Sequence, residues 1–167
     1  EIIQNIDFGL TSGAFAGGQG DFTVEFEPHA TALEKEGSGY VAASLGVDSG
    51  YVPYTAYSAK KSYINKNPDI IQGFTNALQR GMEYVNSHSS TDIAKVIAPQ
   101  FPDTDVDTIA LIVERYKAQD TWKNDLIFTD NSFTLLQDIL YEAGVITEYA
   151  PYKDLVDTTF AEKAAEK

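Results

Sequence analysis

Hydrophobic patterning changes character partway along the chain. From Glu1 to Gly46 the period switches every few residues: EIIQNID reads as a strand, TSGAFAGGQG as a short small-residue helix, FTVEFE as a strand, HATALEKEG as a helix and GYVAASLG as a third strand. Strands alternating with helices predict a parallel sheet with helices against its faces, so the expected fold class is α/β with a β-α-β-α-β segment over 1–46. Residues 47–53, VDSGYVP, are polar, turn-rich and closed by Pro, and predict a hinge. In 54–167, YTAYSAKKSY predicts one more strand and the remainder is mostly helical.

Capping residues set the expected helix ends. Pro28 suits a first helical position because its missing N–H would be unpaired there, and a Glu27 carboxylate just before it can accept from the free amides behind. Asn67-Pro68 opens a long helix whose Ile70, Ile71, Phe74, Ala77, Leu78, Met82 and Val85 form one apolar face. Ser89 with Asp92 resembles a capping box. Thr104 predicts the cap of a third helix with Val106, Ile109, Val113 and Tyr116 inward, and Asp130 that of a fourth with Phe133, Leu136, Ile139, Leu140 and Ala143. Gly144 predicts its stop, and AEKAAEK reads as a frayed helical end. Gly17, Gly18 and Gly20 read as a C-cap and tight turn, with phosphate binding as the alternative.

Charge narrows the partners. Across 167 residues, 12 Lys and Arg stand against 25 Asp and Glu, a formal net charge of −13 that repels phosphate backbones and anionic lipid surfaces. Nucleic acid is therefore not an expected partner. With no Cys there is no thiolate metal site, disulfide or Cys nucleophile. No apolar run approaches the roughly 20 residues of a membrane helix, and the first residues lack a signal-peptide pattern.

Catalytic signatures fail one by one: G-x-S-x-G, the Walker lysine loop, a complete G-x-G-x-x-G and H-E-x-x-H are all missing, and no metal or cofactor is expected. His29 and His88 lie apart without ligand-like spacing. Alternation along Phe22–Glu27 puts Glu25 and Glu27 on one side, opposite Phe22, Val24 and Phe26. Glu27 reads either as a cap or as a ligand group; Glu25, inside an otherwise apolar strand, needs a solvated edge, a basic partner or a ligand. Tyr51, Tyr54 and Tyr57 cluster near the hinge and Phe8 follows the first strand, placed either to stack on a planar ligand or to pack a core. The Thr11-Ser12 helix start offers amides suited to an oxygen-rich group.

The segments QNIDFGLTSGAFAGGQGDFTVEFEPHA, YVAASLG, GYVPYTAYSAKKSYINKNPDIIQGFTNAL and SSTDIAKVIAPQF resemble the solute-binding proteins of ABC importers, in the branch for nitrate, sulfonate, taurine and thiamine-pyrimidine precursors. The likeness covers the second half of such a protein. It implies a type II periplasmic-binding fold of two lobes joined by crossing strands, with 1–46 completing the second lobe, 47–53 crossing and 54–167 returning to the first. It also implies an extracytoplasmic, periplasmic or lipid-anchored setting, a small-molecule solute, permease transmembrane subunits as partners, and a missing N-terminal half or second copy needed to complete the fold. The ligand-side residues are then Asn5, Phe8, Thr11, Ser12, Glu25, Glu27, Tyr51 and Tyr54, and no catalysis is expected. Glu25 stands where the family is commonly apolar and would attract N–H donors, which favours a ligand bearing both an oxygen-rich or anionic group and N–H donors, or an aminopyrimidine-like heterocycle, over a bare oxyanion. The rival readings are a pyrimidine-precursor synthase, which carries a cysteine-rich motif that this chain lacks, and a ligand-sensing regulatory domain.

Overall fold

The computed structural model describes residues 1–166; Lys167, the last residue of the expected frayed end, lies outside them. Ten α-helices follow in chain order among the described residues: α1 (Thr11–Ala16), α2 (His29–Glu36), α3 (Leu45–Asp48), α4 (Lys61–Lys66), α5 (Pro68–Ser87), α6 (Ser90–Ile97), α7 (Val106–Ala118), α8 (Asp130–Glu142), α9 (Tyr152–Leu155) and α10 (Thr159–Ala165). Single 3-10 turns occupy Phe8–Leu10 and Ala98–Gln100.

This architecture corrects the α/β expectation. The described residues are 57% helix and 0% strand, so neither the β-α-β-α-β segment over 1–46 nor the type II periplasmic-binding fold is present among them. The segments read as strands carry no regular structure, the end of GYVAASLG turns into α3, and the end of YTAYSAKKSY turns into α4. The physical reason is pairing. A helix closes its hydrogen bonds within its own segment, whereas an alternating segment becomes a strand only beside another backbone. Among the described residues no backbone–backbone bond joins these alternating segments to one another.

The described chain forms two compact units, one from Glu1–Ser44 with Ser89–Ala118, the other from Leu45–His88 with the residues from Gln119 onward. In the first, α6 packs on α7 and α1 on α2. Its core is Leu33 of α2, Ile93 and Ala94 of α6, and Ile109 and Val113 of α7, with Thr31 and Thr108 buried beside them. The helical period of α7 thus delivers two of its expected inward residues, while Val106 stays exposed. In the second unit α5 packs against α10, where Ala161 and Ala164 are buried. The expected face of α5 is only partly covered. Ile70 and Phe74 are exposed and Gln79 is the buried residue; the Phe74 ring meets Tyr57 edge-on at 5.1 Å.

At α6, α7 and α8 the caps are side-chain oxygens that reach the amide three residues on, whereas Asn67, expected to cap α5, makes no side-chain cap bond. The Ser89 hydroxyl accepts from the Asp92 amide at 3.1 Å. At α7 it is Asp105, not Thr104, that takes the Thr108 amide (2.9 Å), and at α8 it is Thr129, not Asp130, that takes the Ser132 amide (3.2 Å). Gly144 sits at φ +70°, and the bond from the Val145 amide to the Leu140 carbonyl (2.9 Å) closes α8 in the left-handed turn that glycine adopts without a Cβ penalty.

Candidate functional site

In the first unit the chemistry gathers around Glu27, one residue before the Pro28 cap of α2. Its side chain is 6% exposed. One carboxylate oxygen accepts from the Thr31 amide at 3.0 Å; the other accepts from the Thr31 hydroxyl at 3.0 Å and from Arg115 Nη1 at 2.7 Å. The second arm of Arg115 pairs with Glu34, which also accepts from the Val41 amide at 3.0 Å. That backbone bond, followed by Arg115, holds the Glu34 carboxyl below its ordinary value. Burial pulls the Arg115 guanidinium down, but the bonds to Glu34 and Glu27 outweigh it and raise it. Tyr116, raised by burial, accepts from the Glu27 amide at 3.4 Å. One guanidinium thus spans two carboxylates and ties α7 to α2, the two-armed geometry to which Arg is suited. Arg115 lies 88 positions from Glu27, and no periodicity or motif in the sequence couples them.

The remaining expected residues of this unit lie outside that network. Glu25 accepts from the Thr23 hydroxyl at 2.9 Å. Asn5 is exposed, and Phe8, also exposed, sets its ring edge-on to Phe26 at 5.1 Å. The amide and the hydroxyl of Thr11 both donate to the Phe8 carbonyl, because the 3-10 turn runs straight into α1. Ser12 lines a shallow concavity of about 230 Å³ between α1 and α2, together with Gly13, Ala16, His29, Ala32, Leu33 and Glu36.

The second unit holds the larger concavity, about 450 Å³, lined by Tyr51, Lys123, Asp125, Ile127, Thr129, Asn131, Ser132 and Leu135. That volume lies within the range of small-molecule sites. Tyr51 forms one wall. Its hydroxyl donates to Asp120, a bond that raises its pKa, and Lys123 Nζ stands 3.0 Å from the ring centroid, a cation–π contact. Asp120 is held at φ +52°, in the left-handed region that Asp tolerates better than most residues. The loop is pinned from α5, since the Gln79 side-chain amide donates to the Asn124 carbonyl at 3.0 Å and that of Asn86 to the Lys123 carbonyl at 3.1 Å. The site therefore offers an aromatic wall, one ammonium, one carboxylate, amide and hydroxyl groups, and an apolar patch from Ile127 and Leu135. Tyr54, the other expected aromatic, is 78% exposed and does not line this concavity. Lys123 and Asp120 carry no sequence signal of their own beyond a polar stretch beside Trp122.

Among the described residues no group of three or more His, Cys, Asp or Glu side chains could hold a metal ion, and no helix is long and apolar enough to cross a membrane. Comparison with known proteins finds a curated relative, "Putative binding protein YtlA" of Bacillus subtilis (strain 168), 42% identical over 163 residues. The match takes in 98% of this chain and 49% of that protein, so the chain spans about half the length of the curated relative it matches. No family model and no solved structure matches.

Proposed function

We propose that this chain belongs to a solute-binding protein: it takes part in holding a small polar or heterocyclic molecule without turning it over, as the extracytoplasmic component of an ABC importer that hands solute to permease transmembrane subunits. The observation that carries this reading is the similarity, at 42% identity over 98% of this chain and 49% of the relative, to a protein named "Putative binding protein YtlA". The second unit adds a concavity of suitable size, with Tyr51 as a wall on which a planar ring can stack and polar groups that accept and donate. Glu25 of the first unit is the acceptor best placed in the sequence for ligand N–H groups. Its carboxylate already meets a donor in the Thr23 hydroxyl.

Small molecules released from the denatured full-length protein, identified by mass spectrometry and then titrated back calorimetrically, test the reading. A retained heterocycle or polar solute that rebinds unchanged is expected, with affinity falling about tenfold or more in Glu25→Gln or Tyr51→Ala. Chemical conversion of that solute would overturn the non-catalytic assignment. Unchanged affinity in either variant would remove that residue from solute binding.

A further inference from the structure

Two opposite charges line the concavity of the second unit and do not close on each other. Lys123 and Asp125 stand two positions apart on its wall, yet Lys123 makes no ion pair among the described residues. Each is held by a different partner. The Lys123 ammonium rests on the Tyr51 ring, 3.0 Å from its centroid, and one Asp125 oxygen accepts from the Ile127 amide at 2.9 Å. The main chain between them is fixed from α5, whose Asn86 and Gln79 side-chain amides donate to the Lys123 and Asn124 carbonyls. A cation and a carboxylate kept apart in this way, on a pinned loop, form a preorganised pair complementary to a ligand that carries both signs.

The charge of the whole molecule selects in the same direction. At a formal −13 it repels a bare anion, which Lys123 alone would favour, while a solute of no net charge escapes that field. A dipolar ion meets both wall charges and stays neutral. Ile127 and Leu135 complete the lining with aliphatic surface. A volume of about 450 Å³ lies toward the small end of ligand sites, roughly 300–1,000 Å³, and suits one small solute.

We propose that this concavity takes a zwitterion of the amino-acid kind, with its carboxylate on Lys123, its ammonium on Asp125 and an aliphatic side chain against Ile127 and Leu135. The proposal rests on the reading of the concavity as a solute site and names the class of solute.

Titration of the 167-residue chain with L-leucine, followed by NMR at the Tyr51 ring and the Leu135 methyls, tests it. Isocaproate and isoamylamine serve as probes that keep one charge each. Leucine is expected to bind about fivefold or more tighter than either. Lys123→Met should weaken leucine and isocaproate by about that factor and leave isoamylamine unchanged. Asp125→Asn, which keeps an oxygen for the Ile127 amide, should weaken leucine and isoamylamine and spare isocaproate. Equal losses for all three probes in either variant, leucine no tighter than its single-charge analogues, or no response at Tyr51 and Leu135 overturns the zwitterion. A solute of another class, retained by the full-length protein and moving both signals, also overturns it but leaves the site standing. A retained solute that moves neither signal overturns the site itself.

Discussion

The two units are held by different chemistry. In the first, one guanidinium joins two carboxylates, so α2 and α7 are fastened by charge. In the second, neutral side-chain amides do the fastening: Gln72 donates to the Phe160 carbonyl at 3.0 Å, Gln79 to the Asn124 carbonyl at 3.0 Å, and Gln137 both donates to and accepts from Ala150, at 3.3 and 2.6 Å. Rings of Phe128, Phe133 and Tyr152 complete it edge to edge, with centroids 5.9 and 5.7 Å apart. A charge lock depends on protonation and on every partner being present; an amide lock depends on geometry and leaves fewer uncompensated groups when broken. Two regions of one chain should therefore fail under different conditions.

Removing Arg115 should have the largest effect. Arg115→Met leaves Glu27 enclosed without its cation and is expected to destabilise the first unit by about 3 kcal/mol, read from urea unfolding with exchange resolved by segment. A loss under about 1 kcal/mol, or one spread equally over both units, would erase the contrast. Gln137→Leu is the counterpart in the second unit. It strips both partners from the Ala150 main chain and should cost about 1–3 kcal/mol, confined to the unit that holds α8.

Acid should separate the units, because the resolved downward shifts lie in the first. Asp105, held at about 2 by the hydroxyl and amide of Thr108, and Glu34, held low by the Val41 amide and Arg115, both lie below their ordinary values. A carboxyl depressed on folding contributes stability above its unfolded value and loses it as pH falls through its folded value. For Asp105 that window runs from its ordinary 3.8 down to about 2. In the second unit the resolved shifts are upward, on Tyr51 and Tyr149, each through its bond to an Asp, and on Tyr152, chiefly through burial. Their contribution is complete below the ordinary tyrosine value of 10.0 and disappears as pH rises through the raised ones. Exchange protection at the start of α7 should then weaken first in acid, and that around Tyr149 and Tyr152 first in alkali. Simultaneous loss in both units in acid would contradict this division; in alkali the raised Tyr116 brings the first unit in as well.

The smallest effects should be matched. Ser89→Ala removes the cap of α6 in the first unit and Thr129→Ala that of α8 in the second, each a hydroxyl accepting one amide, and each should cost about 1 kcal/mol. Unequal losses would show that a cap in one unit is coupled to the lock beside it, which a double variant with Arg115→Met or Gln137→Leu would measure.

Helix positions were legible in the sequence because a helix is a local object. Pro68 after Asn67, the hydroxyl of Ser89 three residues before Asp92 and the glycine at 144 act within one or two turns, and α5, α6 and the end of α8 fall where those residues put them. Caps shifted by one residue, from Thr104 to Asp105 and from Asp130 to Thr129, because two adjacent residues could each supply an oxygen and only the backbone path chose between them. The expected sheet failed for the opposite reason. Alternation in FTVEFE states a preference for one buried side, but a strand is made by the neighbour it pairs with, and no periodicity within a segment can provide one. The Arg115 lock and the Tyr51–Asp120–Lys123 wall were equally invisible, since each joins residues far apart in sequence through distances that exist only once the helices have packed. The sequence by itself determined where α5 and α6 begin and where α8 ends, the acidic charge and the absence of thiol chemistry; which alternating segments turn into helix, which charges meet and which apolar residues stay bare was decided by tertiary structure, because those outcomes depend on what lies opposite each residue in space.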